Sequence, residues 1–369
     1  MSSAGNQNTN EPKNSKFKQQ QLPAWQPILT AGTVLPTFFV IGIAFIPIGI
    51  GLFFFSNQVK EIQIDYTDCM NNAGEVCSAV IQTMDSVGHP NKCKCEISIK
   101  AEDIGTEDWQ GPVYMYYGLT NFYQNHRRYV KSRDDKQLYG DVTREPTNDC
   151  DPFGKDNSTG KPYVPCGAIA NSLFNDSIKL MFRSTSGDPY ETVPLNRTGI
   201  AWESDKKYKF QNPEPKDNLQ EAFKDTVKPM DWQKNIWELD TEDPNNNGLQ
   251  NEDLIVWMRT AALPNFRKLY RRIIHTQGSD FETGLPSNKE YKFEIDYNYP
   301  VVQFSGTKSV ILATTSLLGG KNPFLGIAYM VVGSICLLMG FIFFFIHLRF
   351  GRTTQEMLNI GPSTPYNSN

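Results

Sequence analysis

Two long apolar runs interrupt an otherwise polar chain. Val34–Phe55 contains 22 residues without a charge, and Leu325–Leu348 contains 24 without Asp, Glu, Lys or Arg. At about 1.5 Å of rise per residue, a helix of either length crosses a hydrocarbon core of roughly 30 Å. A buried core helix is the alternative, but it is normally shorter and has polar positions on one face. The pattern therefore predicts two transmembrane helices.

The first run also has to be compared with a cleaved signal peptide. Its apolar stretch is longer than that of a signal peptide, and it begins after 33 residues. It also ends on Phe53, Phe54 and Phe55, where cleavage would need small residues. We therefore expect an uncleaved signal anchor.

Short stretches between the two runs alternate between apolar and polar residues. Alternation with period two, rich in Ile, Val, Tyr and Phe, is typical of antiparallel strands with one face buried. It predicts strands at Glu61–Tyr66, Glu96–Lys100, Val113–Tyr117, Tyr291–Tyr297 and Val310–Thr315.

Helical and loop signals complete the predicted fold. Asn251–Leu263 is the best helix candidate, because acidic residues stand in its first turn and a proline follows its end. Residues 140–165, 211–216 and 240–248 are rich in Asn, Asp, Pro and Gly and are expected to be loops. The prediction is an antiparallel β-sandwich with loop and short-helix insertions, carried on two transmembrane helices.

The distribution of charge predicts the orientation of the chain. The net charge is −4, with +2 on residues 1–33 and +1 on residues 349–369, which leaves −7 on the middle of the chain. This balance argues against a basic nucleic-acid-binding protein and against a plain cytosolic enzyme. Because cytoplasmic flanks are enriched in Lys and Arg, both tails are expected in the cytoplasm. The expected order is a cytoplasmic tail (1–33), a transmembrane helix (34–55), an exoplasmic domain (56–323), a second transmembrane helix (324–348) and a cytoplasmic tail (349–369).

Sequons and cysteines favour a lumenal middle domain. The three N-glycosylation sequons begin at Asn157, Asn175 and Asn196, all between the spans, and N-glycans mark a secreted or lumenal surface. An even number of cysteines in an oxidising compartment predicts disulfides, here three. The six cysteines of this segment are Cys69, Cys77, Cys93, Cys95, Cys150 and Cys166.

The spacing of these cysteines narrows their pairing. Cys93 and Cys95 are two residues apart in an alternating stretch, so both point to one face of a strand. Cys69 and Cys77 can then pair with them in a nested way, 69–95 and 77–93, and the remaining two cysteines close a short loop. A zinc site is the alternative, but Cys-x-Cys lacks the usual Cys-x₂-Cys spacing and no histidine pair accompanies it.

Patterns of reactive residues are scarce. The sequence has no Gly-x₄-Gly-Lys-Ser/Thr phosphate loop, no His-Glu-x-x-His and no Gly-x-Ser-x-Gly, and its four histidines are scattered. No catalytic residue, cofactor or metal is therefore predicted. Asp243–Gly248 matches the first half of a calcium loop, but Leu254 stands where the bidentate Glu belongs, so an Asn-rich turn is the favoured interpretation.

Two basic clusters stand out in this acidic middle segment, His126–Arg133 and Arg267–Arg272. They could contact acidic loops of a partner protein or lipid headgroups. The alternative, which we favour, is internal ion pairing with the many Asp and Glu residues.

Glycines recur at intervals of seven residues in both predicted spans. They are Gly42 and Gly49 in the first span and Gly326, Gly333 and Gly340 in the second. Such spacing keeps one helix face small, so that another helix can approach closely. The partner of these faces is the other span of this chain, a second protein, or both.

Five segments closely resemble one known family: Phe17–Gly32, Met115–Asp134, Pro165–Ser172, Asn251–Pro264 and Gly319–Tyr329. They are similar to segments of the transmembrane-protein-30 family, also called the cell-division-cycle-fifty family. The resemblance covers nearly the whole chain apart from its tails.

The resemblance implies a non-catalytic role. Members of that family are β-subunits of type IV P-type ATPases, the phospholipid flippases. They form a heterodimer with the α-subunit, which moves phosphatidylserine or phosphatidylethanolamine inward. They are needed for its exit from the endoplasmic reticulum and for its activity, and the complexes reside in the Golgi, secretory vesicles and plasma membrane. The resemblance also implies an antiparallel β-sandwich, the same nested disulfides and a glycan on Asn175.

Two other classes of protein share parts of this layout. Ligand-gated ion channel subunits also have two spans, internal tails and a disulfide-rich ectodomain. A pore, however, usually needs polar or ionisable residues, and these spans offer mainly Phe, Ile and Gly. A membrane-anchored lumenal hydrolase is the other alternative, and it lacks a nucleophile–base pattern.

Overall fold

The structure, a computed structural model, describes residues 14–23, 30–84, 91–185, 187–316 and 319–351. The chain divides into two compact units, Met1–Phe54 with Pro323–Asn369 and Phe55–Asn322. We call the first the helical unit and the second the ectodomain. Most of both predicted cytoplasmic tails lies outside the described residues, so their assignment stays a prediction.

Two helices of 27 residues are long and apolar enough to cross a membrane, α1 (Ala31–Asn57) and α10 (Phe324–Phe350). Each contains the corresponding predicted span. Both helices are apolar around their whole circumference, as membrane-spanning helices are. Their outward faces expose large apolar side chains, among them Val40, Ile43, Leu338 and Phe345. The two apolar helices support a membrane protein, as predicted.

The ectodomain is built on antiparallel sheets. Within the described residues, one sheet has the strand order β1-β11-β4-β8-β7, a second has the order β2-β10-β5-β6, and β3 pairs with β9. The strands are β1 (Glu61–Asp65), β2 (Cys93–Ile99), β3 (Trp109–Gln110), β4 (Val113–Leu119), β5 (Ser177–Arg183), β6 (Glu191–Thr192), β7 (Leu195–Asn196), β8 (Phe266–Ile273), β9 (Gly284–Leu285), β10 (Glu290–Tyr297) and β11 (Lys308–Thr314).

Short helices lie in the connections between the strands. The α-helices are α2 (Cys77–Val80), α3 (Ala101–Ile104), α4 (Arg127–Lys131), α5 (Asp135–Leu138), α6 (Ala168–Asn171), α7 (Glu203–Tyr208), α8 (Leu219–Ala222) and α9 (Glu252–Met258). Single 3₁₀ turns occur at Asn148–Cys150, Ile236–Glu238, Pro244–Asn246, Gly248–Gln250 and Val302–Phe304.

The two larger sheets share one hydrophobic core. Met115 and Leu312 from the five-stranded sheet and Leu180 and Phe293 from the four-stranded sheet belong to the same buried cluster. In β10 the burial alternates residue by residue, whereas all of β11 is buried because it lies between β1 and β4 and is covered on both faces. The predicted β-sandwich with loop and short-helix insertions is confirmed.

The sequence patterns missed the two long strands β5 and β8 and the four two-residue strands β3, β6, β7 and β9, and they overextended one helix. β5 and β8 were not predicted, because lysines and arginines occupy many of their positions and read as polar sequence. The helix predicted at Asn251–Leu263 begins as expected but ends at Met258. Residues after Met258 leave the helix to contact another loop, where the Ala261 N–H donates to the Gln124 side chain at 2.9 Å.

The first and last long strands of the ectodomain pair with each other. Glu61 of β1 lies opposite Ala313 of β11, and Lys308, at the other end of β11, lies opposite Leu119 of β4. The chain therefore enters and leaves the ectodomain at one end of the five-stranded sheet. We call the opposite end, marked by Leu119 and its partner Phe266, the distal end.

Candidate interaction surfaces

The five glycines of the two spans form a close contact between α1 and α10. A Cβ atom added to Gly49 would lie 2.9 Å from the carbonyl oxygen of Gly326, and one added to Gly326 would lie 3.0 Å from that of Gly49. A Cβ on Gly42 would similarly lie 3.0 Å from the carbonyl oxygen of Gly333. These distances are shorter than carbon–oxygen contacts allow, so larger residues would push the helices apart. We call Gly42, Gly49, Gly326, Gly333 and Gly340 the glycine seam.

Aromatic rings pack along the same contact. Gly340 faces the Phe39 ring, whose Cζ atom lies 3.3 Å from the position of a Cβ. Phe39 and Phe341 meet edge to face, with ring centroids 5.2 Å apart, and Phe45 lies 4.8 Å from Tyr329. The structure thus uses the small faces for packing within the chain, and it leaves the outward faces of both helices uncovered.

The hydroxyl groups within the spans bond to their own helices. Thr37 donates to the carbonyl oxygen of Thr33 at 2.8 Å, and Ser334 donates to that of Met330 at 2.8 Å. Cys336 is a free, half-buried thiol. Since these hydroxyls satisfy backbone acceptors, they are not arranged as a polar lining.

Three disulfides brace the ectodomain, Cys69–Cys95, Cys77–Cys93 and Cys150–Cys166, with Cα atoms 6.0, 5.5 and 5.7 Å apart. Both Cys93 and Cys95 are buried and point to one face of β2, which allows the nested pairing. Among the described residues, the group of possible metal ligands is Cys69, Cys77 and Cys95. All three sulfurs are bonded in disulfides and are not available as thiolates.

The three sequons differ in their surroundings. Asn157 and Asn175 are exposed, whereas Asn196 is half-buried in β7. The Asn196 side-chain oxygen accepts from the N–H and the hydroxyl of Thr198, at 2.9 and 2.8 Å. Asn175 lies two residues before β5 and lines a cleft of about 1080 Å³ that is also lined by Arg197 and Asp240. All three positions belong to the ectodomain.

A buried ion pair that sequence patterns did not predict joins the two sheets. Lys308 of β11 donates to Asp176, next to β5, at 2.7 Å, and neither side chain is exposed. Tyr66 donates to the same carboxylate at 2.8 Å, and the N–H groups of Asn298 and Tyr299 donate to its other oxygen. Burial lowers the pKa of Lys308 to about 8, although Asp176 opposes that shift. A lone lysine opening an apolar strand was the signal for this site.

The Asn-rich loop Asp243–Gly248 uses its side chains internally. The Asn246 amide donates to Asp240 at 2.7 Å, and its oxygen accepts from the N–H of Glu252 at 3.0 Å. The Asn247 oxygen accepts from the N–H of Gly248 at 2.8 Å. At the first position of the calcium-loop pattern, the Asp243 side-chain oxygen likewise accepts from the N–H of Asn245 at 2.9 Å. Oxygens of Asp243 and Asn247 that a calcium loop would offer to an ion therefore accept protein N–H donors, as in an Asn-rich turn.

The basic cluster Arg267–Arg272 is paired within the ectodomain. Arg267 contacts Glu61 at 2.6 Å, and Arg271 contacts Asp253 at 2.6 and 3.2 Å. Arg272 donates to the carbonyl oxygen of Gly199 at 3.3 Å. Ion pairing inside the molecule, the favoured interpretation, describes this cluster.

Lys268, in the same cluster, holds the end of α9. Its buried ammonium donates to the carbonyl oxygens of Val256, Trp257 and Arg259 at 2.8, 2.8 and 2.5 Å. These carbonyl groups lie at the end of the helix, where no following helical N–H group is available to donate to them. Burial lowers the pKa of Lys268 to about 7, and the nearby Arg259 adds to that shift.

The other basic cluster, His126–Arg133, is divided. Arg133 pairs with Asp135 at 3.0 Å. In contrast, Arg127, Arg128 and Lys131 of α4 are exposed and make no ion pair with any described residue. Internal pairing therefore does not account for this cluster.

Comparison with known proteins agrees with this architecture. Residues 52–353 match the LEM3 (ligand-effect modulator 3) family / CDC50 family. Cell cycle control protein 50A of Mus musculus is 51% identical over 352 residues, which cover 94% of this chain and 92% of the mouse protein. Cell cycle control protein 50B of Homo sapiens is 48% identical, over 94% of this chain and 97% of the human protein.

A plant relative bears a name that refers to a partner. ALA-interacting subunit 3 of Arabidopsis thaliana is 43% identical over 350 residues, which cover 94% of this chain and 89% of the plant protein. The family match covers the end of α1, the whole ectodomain and all of α10, and the relatives align over nearly their full length. This chain therefore belongs to the CDC50 (LEM3) family.

Proposed function

We propose that this chain is the non-catalytic accessory subunit of a phospholipid flippase, in a heterodimer with a type IV P-type ATPase α-subunit. Membership of the CDC50 family carries the proposal, since a relative in that family is named an ALA-interacting subunit. The α-subunit hydrolyses ATP and moves phosphatidylserine or phosphatidylethanolamine to the cytoplasmic leaflet. This chain contributes surface and stability.

The helical unit supports such a role through its shape. The glycine seam holds α1 against α10, so the pair presents its outward apolar faces as one surface. Membrane helices of the α-subunit pack on that surface through dispersion contacts. Because the accessory subunit binds the folded α-subunit, it stabilises that state by mass action. Folding of the α-subunit and its exit from the endoplasmic reticulum follow from this stabilisation.

The proposed topology places the ectodomain on the exoplasmic side. Both tails, residues 1–33 and 349–369, lie in the cytoplasm, and N-glycans are attached at Asn175, Asn157 and Asn196. The complex travels from the endoplasmic reticulum through the Golgi and secretory vesicles to the plasma membrane. The three disulfides support an exoplasmic location of the ectodomain, because disulfides persist in an oxidising compartment.

Affinity purification of the full chain in mild detergent, followed by mass spectrometry, tests the proposal. We expect a P-type ATPase in roughly equal amount. Gly333→Leu should reduce its recovery, because even a Cβ at Gly333 would lie 2.9 Å from Ile46 and the helix pair would separate. Val332→Leu, at an exposed neighbouring position, is the matched control. Recovery of no P-type ATPase from several detergents and cell types would contradict the proposal.

Glycan analysis tests the topology independently. Digestion with an N-glycosidase should increase the gel mobility of the wild-type chain. The triple variant Asn157→Gln, Asn175→Gln, Asn196→Gln should migrate like the digested protein. If the wild-type chain already migrated like the triple variant before digestion, the result would argue against a lumenal ectodomain.

A further inference from the structure

The cleft beside Asn175 lies wholly within the ectodomain. Its volume of about 1080 Å³ slightly exceeds the range of roughly 300–1,000 Å³ that is usual for small-molecule sites. Of the three sequon asparagines, Asn175 lines this cleft, whereas Asn157 and Asn196 do not. A glycan on Asn175 therefore begins at the wall of a cavity, and a glycan on Asn157 begins on an exposed loop.

The backbone at the attachment point is held in place by its neighbours. The carbonyl oxygen of Asn175 accepts from the Asn298 amide at 3.1 Å. Asp176, the next residue, is buried, and its carboxylate accepts from Lys308 and from the N–H of Tyr299, both at 2.7 Å. The Asn175 side chain itself is exposed and forms no hydrogen bond with any described residue. The amide that carries a glycan thus stays free on a fixed backbone.

The segment 231–242 contributes a second wall of the cleft, and it is also fixed. The Trp232 indole donates to the carbonyl oxygen of Ala170 at 2.7 Å. Farther along the segment, the buried Asp240 accepts from the Asn246 amide at 2.7 Å. A cleft with walls held in this way is largely pre-formed, so little ordering of the protein is needed when a ligand enters.

The lining of the cleft combines apolar side chains with groups that form hydrogen bonds. Leu195 and Leu239 are half-buried and Pro194 is exposed, which leaves apolar carbon accessible within the cleft. Gln233 and Thr241 add exposed polar groups. Sugars present the same combination, because the C–H faces of a pyranose ring are apolar and its edges carry hydroxyl groups. N-acetylglucosamine, the first sugar of an N-glycan, adds an amide to this set.

Arg197, in the same lining, has donors that the protein satisfies weakly. Its terminal nitrogens lie 3.5 Å from Asp240, 3.6 Å from Asp253 and 3.5 Å from the carbonyl oxygen of Leu239. These distances are longer than those of good hydrogen bonds, and the Nε atom has no acceptor among the described residues. Since a guanidinium carries five N–H donors and this side chain is 36% exposed, it can also donate to sugar oxygens.

Covalent attachment makes weak contacts sufficient for binding. A ligand tethered at the wall of its own site has an effective concentration on the order of millimolar. Contacts too weak to capture a free sugar from solution therefore hold a tethered one. Sugars in the cleft would also cover the accessible apolar carbon of Leu195 and Leu239, which favours the docked state.

We propose that this cleft is the binding site of the chain's own N-glycan on Asn175, and that it holds the first N-acetylglucosamine units. Leu195 and Leu239 lie against apolar sugar faces, and Arg197 donates to hydroxyl or acetamide oxygens. The inference rests on the proposed function in one respect, because it needs an exoplasmic ectodomain with a glycan on Asn175.

The rate at which an N-glycosidase releases each glycan from the native chain tests the inference. The enzyme cuts at the asparagine and leaves Asp in its place, so peptide mass spectrometry measures release at each site separately. The full chain is digested in mild detergent and again after denaturation. Asn157 is the internal control because it is exposed and lies outside the cleft. The denatured chain supplies a second reference rate.

Two variants fill the cleft from exposed positions of its lining, Gln233→Trp and Thr241→Trp. Thr143→Trp, at an exposed position outside the lining, is the matched control. All three variants leave the sequons intact. Melting temperature and non-reducing gels verify that each variant is folded with its disulfides intact.

We expect the native wild type to lose the Asn175 glycan roughly tenfold more slowly than the Asn157 glycan, because release tracks the small undocked population. After denaturation the two rates should agree. Gln233→Trp and Thr241→Trp should each bring the native Asn175 rate close to the Asn157 rate. Thr143→Trp should keep the slow release seen in the wild type.

Equal native release rates at Asn175 and Asn157 in the wild type overturn the inference and leave the proposed function intact. Slow release that persists in both filled variants also overturns it, because something other than the cleft then shields the glycan. An unmodified Asn175 overturns the inference together with the glycan assigned to that site. Recovery of a P-type ATPase tests the accessory role separately.

Discussion

The two basic clusters, His126–Arg133 and Arg267–Arg272, are similar in the sequence but lie in different environments. Arg267–Arg272 belongs to β8, a strand between β4 and β7, and its cations reach carboxylates or carbonyl oxygens. The α4 cluster belongs to a five-residue helix anchored through one face, and three of its cations are exposed.

The difference shows that the secondary structure around a charge decides whether it is satisfied internally. In the paired strand β8, the long side chains lie against the sheet and the adjacent helix α9, where acceptors are within reach. A short surface helix turns several residues in succession toward solvent, and only a second molecule can pair with them. Four predictions test this distinction, beginning with the largest expected effect on stability.

Arg271→Ala should lower the free energy of unfolding by about 3 kcal/mol, because it removes the nearer guanidinium partner of the partly buried Asp253 and leaves only Arg197, at 3.6 Å. The side chains of Arg271 and Asp253 are 10% and 27% exposed. Thermal unfolding of the full chain in detergent would show a lower melting temperature, by roughly 6 °C or more. A melting temperature within about 1 °C of wild type would mean that the pair contributes little.

Lys268→Met should cost about 2 kcal/mol, since three carbonyl groups at the end of α9 lose their donor. Methionine retains most of the apolar stem. Lys179→Met, at a half-exposed position of β5, is a control that should leave the melting temperature near that of wild type. Equal melting temperatures for the two variants would contradict the assigned role of Lys268.

The stability difference between wild type and Lys268→Met should grow with pH. Burial lowers the pKa of Lys268 from 10.5 to about 7. Between these values the unfolded chain holds a proton that the folded chain has lost, so this group's contribution to stability rises with pH. The slope is at most about 1.4 kcal/mol per pH unit. Melting curves at pH 7, 8 and 9 check it, and a constant difference would mean that the three carbonyls keep the ammonium charged.

Replacing Arg127, Arg128 and Lys131 together by Ala should change the free energy of unfolding by less than about 0.5 kcal/mol. These side chains make no contact that folding requires. The melting temperature should therefore stay within about 2 °C of wild type. A larger decrease would show that the α4 cations also have partners within the chain, and it would remove the contrast with β8.

Sequence periodicity predicted those parts of the fold that depend on local geometry. The strands at Glu61 and Tyr291 and the two membrane helices follow from periods and lengths that the backbone imposes on any sequence. β8 was missed because its arginines have apolar stems that lie along the sheet, while their charges make the segment look like a surface cluster.

Sequence patterns do not predict contacts between residues that are far apart in the chain. Lys308 and Asp176 are 132 residues apart, and neither position alone identifies the other. The glycine spacing predicted a small face on each span but left its partner open, because another protein's helix satisfies the same geometry. The exposure of Arg127 depends on Tyr129 and Gly167, which fix the opposite side of α4.

The pairing of β1 with β11 has a consequence for biosynthesis. Lys60 and Thr314, which share a hydrogen bond beside this pair, are 254 residues apart. At a translation rate of about 5 to 20 residues per second, the ribosome needs roughly 10 to 50 s to deliver the second strand after the first. During that interval β1 and β4 both lack β11, the strand between them, and expose unpaired backbone groups to the translocating chain's surroundings. The ectodomain therefore completes its sheet only near the end of synthesis, and a chain truncated before β11 remains a substrate for chaperones and degradation.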